Sequence, residues 1–209
     1  HIADLAGSGY SISGGTFTTP LELDWCSGIL QPHDNGDGTY TVSYEGQGVA
    51  RIGNTYYETF NDAFNAAKEM ENATIVVMAD TELTGVCQLN TDSEAEITID
   101  LNGYVLTAAD NNRLFTVQGG TLNIQDSNPD EVHYYKKETS GLWTLYQEED
   151  EDATAIYGGI ITGGNCGNSG GAIVVTNSGT VNVYGGNIIG NTTTNSASNA
   201  SGGVSVSGS

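Results

Sequence analysis

The chain has 209 residues, a formal net charge of −21 from 26 acidic and 5 basic side chains, 29 glycines and only 3 prolines. An acidic excess of this size repels phosphate backbones, which excludes nucleic acid as a natural partner, and no apolar run reaches the roughly 18 residues that suggest a membrane-spanning helix. The length suffices to bury a core, and the glycine-rich composition points to turns and strands rather than long helices.

In chain order, residues 1–17 end in Ser11-Ile12-Ser13-Gly14-Gly15-Thr16-Phe17, a Gly-Gly signature that returns later in the sequence. The chain opens at His1 without a leader-like segment, and we expect it to be an internal piece of a longer protein. Residues 18–48 read as a connection: a loop or one-turn helix over Leu21–Cys26, then a tight turn at Asp34-Asn35-Gly36-Asp37-Gly38 feeding the alternating strand Thr39–Val42. The acidic spacing there does not fit a calcium-binding loop with a distal Glu, so the segment is read as a structural turn.

A module is expected over 49–209. Arg51–Tyr57 reads as a hairpin-like strand pair, and Thr59 can cap a helix over about 59–70 with Asp62 at the third helical position. Phe60, Ala63, Phe64 and Ala67 form one apolar stripe on that helix, and Lys68 suits its C-terminal end. Strands follow at Ala73–Met78, Glu96–Leu101, Arg113–Val117 and Thr121–Gln125. Between about 128 and 152 the pattern changes to two alternating stretches, Glu131–Lys137 and Leu142–Gln147, joined by Glu138-Thr139-Ser140-Gly141: an inserted β-hairpin. It carries Tyr134, Tyr135, Trp143 and Tyr146, which are the candidate binding residues, because such rings offer apolar area with a polar tip to a sugar face. The competing reading folds that aromatic face onto the rest of the module. The acidic run Glu148–Asp152 is read as a solvated turn rather than a cation site.

From Ala153 onward there is no Asp, Glu, Lys or Arg. This tract is repetitive: Tyr157-Gly158-Gly159-Ile160-Ile161 returns as Tyr184-Gly185-Gly186-Asn187-Ile188-Ile189, and Gly170-Gly171-Ala172-Ile173-Val174-Val175 as Gly202-Gly203-Val204-Ser205-Val206-Ser207. Periods of about 20 to 50 residues mean stacked architectures. A short β-branched run buries too little by itself to offset the entropy of ordering it, so each run must stack on its neighbours. Gly-Gly pairs supply positive φ at the corners. The expected fold is therefore all-β, a right-handed parallel β-helix whose open end the helix near Phe60 plugs, with residues 1–17 as the last coil of a preceding β-helix. A disordered linker is the weaker reading, since the apolar pulses persist to about Asn191; Thr192–Ser201 is expected to be a polar loop or a frayed edge.

The order Ala50–Tyr56, Tyr57–Ala67, Ala73–Asp80 and Ile97–Thr107, with Gly119-Gly120-Thr121-Leu122 and the later Gly-Gly-Asn coils, resembles the pectin-lyase-like right-handed β-helix modules of very large surface proteins in gut Firmicutes and related anaerobes. The resemblance implies an extracellular, cell-surface location and a non-catalytic adhesive or stalk role, with a glycan or host surface protein as partner. It also offers an alternative, a carbohydrate-active enzyme of the polysaccharide lyase or glycoside hydrolase type. Such chemistry needs converging carboxylates or a base beside calcium-binding acids. The charge-free tract supplies none of these, and the earlier Asp100, Asp110, Arg113 and Asp126 cannot be placed on one face from sequence, with Asp100 read as a corner hydrogen-bonder. No catalytic residue, metal ligand or cofactor motif is assigned. His1, His33 and His133 are scattered, and Cys26, Cys87 and Cys166 lack ligand spacing and read as small buried hydrophobes.

Overall fold

A computed structural model describes residues 12, 15–22, 25–26, 31–43, 48–139, 141–146, 152–167, 170–194 and 201–207. Strand dominates, in several separate sheets, so the all-β class holds.

The first sheet holds β1 (Thr16–Phe17), β2 (Gln31–Asp34) and β3 (Tyr40–Ser43), all antiparallel, with β3 in the middle. Its connection is the structural turn expected from the Asn/Asp/Gly cluster. Asp34 accepts a hydrogen bond from the Gly36 N–H, and Asp37 accepts from both the backbone N–H and the hydroxyl of Thr39, the local bonding that suits Asp to turns. Of the expected preceding coil, Ile12, in a parallel bridge with Cys26, and Gly15–Phe17 are described, with Thr16–Phe17 as its strand. That strand pairs antiparallel with β3, and nearly all of residues 1–14 lie outside the described residues.

Next come β4 (Ala50–Ile52) and β5 (Thr55–Tyr57), an antiparallel pair, and α1 (Phe60–Ala67). The helix starts where the cap predicts: the Thr59 hydroxyl oxygen accepts from the Asp62 N–H, and its O–H donates to the Asp62 carboxylate. Its buried stripe is the expected Phe60, Ala63, Phe64 and Ala67.

From there the chain passes through three parallel sheets in fixed rotation. The first pass supplies β6 (Asn72–Val77), β7 (Thr81–Glu82) and β8 (Cys87–Leu89); the second, β9 (Glu96–Asp100), β10 (Val105–Thr107) and β11 (Phe115–Val117). The third opens with β12 (Thr121–Gln125), is interrupted by β13 (Val132–Lys137), β14 (Trp143–Tyr146) and β15 (Thr154–Tyr157), and resumes with β16 (Ile160–Thr162), β17 (Asn165–Cys166) and β18 (Ile173–Thr176). The fourth comprises β19 (Thr180–Val183), β20 (Asn187–Ile188), β21 (Thr192–Thr193) and β22 (Val204–Ser207). One sheet runs β19-β12-β9-β6 and continues into the antiparallel β4 and β5; the second runs β20-β16-β10-β7; the third runs β22-β18-β11-β8. Registers stack like on like, as in Ile97 against Leu122 against Val181, and Phe115 against Ile173 against Val204. The expected polar loop is corrected at its start, because Thr192–Thr193 pairs in parallel with Asn165–Cys166; residues 195–200 lie outside the described residues.

One core joins the inward residues of these sheets to α1. The rings of Phe60 and Phe64 meet Phe115 with centroids 6.3 and 6.1 Å apart, so the helix is fastened over the first passes. At the other end the core runs out: Val204 is 37%, Val183 48% and Val206 75% exposed. The Gly-Gly pairs divide their work. Gly158, Gly163 and Gly170 take positive φ, while a Cβ on Gly159 or Gly171 would collide with the neighbouring pass and one on Gly164 with the Gly171 backbone of its own pass. Conformational freedom and closeness of approach are both needed, which is why two glycines recur together. The cysteine reading is corrected in part: only Cys87 is buried, its thiol pushed up to about 12 by that burial, whereas Cys26 and Cys166 are half-buried. Among the described residues no helix is long and apolar enough to cross a membrane.

Candidate functional site

The insertion in the third pass is the feature that breaks the repeat, and it builds the site. The expected hairpin is present, with Tyr134 opposite Tyr146, Tyr135 opposite Leu145 and Lys137 opposite Trp143. A third strand, β15, lies on the other side of β13, so the insert is a three-stranded antiparallel sheet, and the two-stranded expectation is corrected. Alternation puts Tyr135, Leu145, Trp143, His133 and Ile156 on one face and Tyr134, Tyr146 and Lys136 on the other.

The first face packs onto the second parallel sheet. Tyr135 is fully buried with Val105 and Ile160, and Trp143, Ile156 and Ile189 close around them as a second core. Of each apolar pair on that sheet, Leu106 and Ile161 point into the main core while Val105 and Ile160 point under the insert. Consecutive apolar residues on a strand mean that both faces are covered. The doublets Val105-Leu106 and Ile160-Ile161 were the sequence signal for this docking. The insert is pinned at one end by His133, whose Nε2 lies 2.6 Å from the Gly103 carbonyl oxygen. At the other end Gly190 meets the backbone at Trp143 so closely that a Cβ there would clash with the Trp143 carbonyl.

This burial removes Tyr135 from the candidate binding residues. A tyrosine in the centre of an alternating strand faces either the core or solvent, and this one faces the core. Its hydroxyl is buried with no hydrogen-bond partner, Thr162 lying beside it short of bonding geometry. Burial pushes its phenol above the ordinary tyrosine range. A buried hydroxyl left unbonded costs about 1–3 kcal/mol. Tyr135→Phe is therefore expected to leave stability unchanged or raise it by about 1 kcal/mol in urea unfolding; a loss above about 1 kcal/mol would mean that the hydroxyl is bonded in solution.

The other three candidates lie around two depressions along β14. A cleft of about 400 Å³ lies between β14 and the corners of the second, third and fourth passes, lined by Trp143 and Leu145 on one side and by Asp110, Asn111, Asn165 and Thr192 on the other. A second, of about 340 Å³, is lined by Leu145, Tyr134, Tyr146, His133 and Asp80, so Leu145 belongs to both. Beside it Lys136 Nζ lies 5.3 Å from the centre of the Tyr146 ring and 3.5 Å from the Asp152 carboxylate. Asp152 is the only described member of the acidic run; residues 148–151 lie outside the described residues. The lining from Asp110, Asn111, Thr162, Asn165 and Thr192 was not legible in sequence, because it comes from corners of different passes.

Of the acids considered for catalysis, Asp100 and Asp126 do structural work. Asp100 is buried and accepts from the N–H groups of Asn102 and Ser127 and from the Gln125 amide. Asp126 accepts from the N–H groups of Gly103, Asn128 and Gly159. Arg113 donates to the Cys166 sulfur, and Asp110 lines the larger cleft. Asp100 and Asp126 therefore meet at the corner between the first and second parallel sheets, apart from Asp110 and Arg113 at the next corner. Among the described residues no three His, Cys, Asp or Glu side chains gather in a metal-binding arrangement.

Comparison with known proteins adds no name: no family model, no curated protein and no solved structure matches this chain.

Proposed function

We propose that the three parallel sheets are the faces of a right-handed parallel β-helix of the pectin-lyase-like kind, and that the chain is a non-catalytic module of a large bacterial cell-surface protein that holds glycan in the Trp143 cleft. The fixed rotation through the sheets, the paired glycines at their corners and a helix fastened over one end support the fold. The surface location and the adhesive role rest on the resemblance of the sequence to such modules.

The observation that carries the binding reading is the make-up of the cleft. Trp143 and Leu145 form an apolar wall opposite the amides of Asn111 and Asn165, the Thr192 hydroxyl and the Asp110 carboxylate. A sugar has one apolar face and a rim of hydroxyls, so an aromatic platform opposed by hydrogen-bonding groups matches both sides of it. Asp100 and Asp126, beside the insert, are committed to backbone N–H groups, and among the described residues lining the Trp143 cleft Asp110 is the one carboxylate, where hydrolysis needs a pair, which favours binding.

Glycan-array screening followed by titration is expected to find a glycan whose affinity falls at least tenfold on Trp143→Ala, about 1.4 kcal/mol or more. Binding that survives the substitution unchanged would put the adhesive surface elsewhere, and binding to no glycan would leave a stalk role. Polysaccharide cleavage by the wild-type chain would overturn the non-catalytic reading.

A further inference from the structure

Resting on the glycan-binding reading of the Trp143 cleft, we infer that the ligand is a neutral oligosaccharide of several sugar units, laid along β14 across all four passes, and not a single sugar or a uronate chain. Three observations meet here. The two depressions adjoin at Leu145, which lines both. Opposite Trp143 and Leu145, Asp110 after β10, Asn165 in β17 and Thr192 in β21 come from the same corner in three successive passes, while Asp80, just before β7 in the first pass, stands at the preceding corner beside the second depression. Neighbouring passes are separated by roughly 4.8 Å, so the three groups at one corner span about 10 Å along the array, longer than one sugar ring. An aromatic ring lines each depression, Trp143 the larger cleft and Tyr146, from the other face of β14, the smaller.

Charge decides the class. The described residues that line the two depressions include the carboxylates of Asp80 and Asp110 and neither Lys nor Arg. Lys136, the cation beside Tyr146, already lies against the Asp152 carboxylate, and His133 is held by the Gly103 carbonyl. In a chain of net charge −21, a carboxylated sugar would enter a field of its own sign. Uncharged hydroxyls can instead donate to Asp80 and Asp110 and exchange hydrogen bonds with the amides and with Thr192.

The test is titration calorimetry with the wild-type chain against neutral gluco-, manno- and galacto-oligosaccharides of one to six units, with oligogalacturonates of the same lengths as the charged series. Affinity is expected to rise at least tenfold from the monosaccharide to about the tetramer and then level off in one neutral series, with weaker binding of the uronates at every length. Tyr146 is 40% exposed, so Tyr146→Ala leaves the fold in place. It is expected to weaken the tetramer several-fold while leaving mono- and disaccharide binding unchanged, whereas Trp143→Ala weakens all lengths. Trp143-dependent affinity that does not change with length, or that favours the uronates, would overturn this inference and leave the cleft as a glycan site. Binding indifferent to Trp143, or absent for every sugar, would overturn both.

Discussion

Phe115→Ala is expected to lower the unfolding free energy by about 3–5 kcal/mol, the cost of removing a fully buried aromatic ring and leaving a cavity. Phe115 has no solvent exposure and lies in the second strand of the third parallel sheet, yet its ring meets Phe60 edge-on and tilts against Phe64. The substitution thus removes transfer energy, aromatic contacts and the fastening of α1 over the first passes together. Urea unfolding followed by far-ultraviolet circular dichroism would read the loss from the midpoint at unchanged slope. Phe115→Leu, which keeps most of the volume, is expected to lose less than half as much. A loss below about 1 kcal/mol for the alanine variant would mean that the helix is held by other contacts.

Asp126→Ala is expected to cost about 3 kcal/mol, although the residue is only partly buried. One of its carboxylate oxygens accepts from Gly103 N at 2.8 Å and the other from Gly159 N at 2.6 Å, with Asn128 N adding a longer bond of 3.3 Å. Gly103 lies in the turn before β10, Gly159 in the turn before β16, and Asn128 at the start of the insert. A single side chain therefore ties two successive passes and the insert at one corner. Hydrogen bonds to a charged group contribute about 1.5–3 kcal/mol each, discounted here for partial exposure. Asp126→Asn turns an amide donor toward one of two N–H groups, and its expected loss lies between those of wild type and alanine. Thermal unfolding of the three proteins orders them; an asparagine variant as unstable as alanine would show that charge, rather than acceptor geometry, holds the corner.

Much of this architecture is written in local patterns that depend on near neighbours only. The Thr59 cap, the stripe from Phe60 to Ala67 and the strand Thr121–Gln125 appear in the structure where sequence places them. The insert was visible through its alternation and aromatics. Its third strand was not, because Thr154–Tyr157 follows directly on the acidic run and resembles one more stretch of the charge-free tract. The site was legible only as far as a single chain segment can be: Trp143 and Tyr146 stand at the two depressions, while Tyr135 went inward because the outward-facing Val105 and Ile160 need cover. Asp110, Asn165 and Thr192 come together only through the register of successive passes, and no local pattern encodes that.

The exposed valines of the fourth pass bear on binding. Among the described residues the strands of that pass pair with those of the third pass alone. The same pass also supplies Gly190 and Thr192, one wall of the Trp143 cleft. A ligand bridging Thr192 to Asn165 and Trp143 would bind the docked arrangement of the third and fourth passes and the insert and not an opened one, and so would hold them together. Occupancy of the cleft and integrity of that end of the array are then a single equilibrium, in which each strengthens the other.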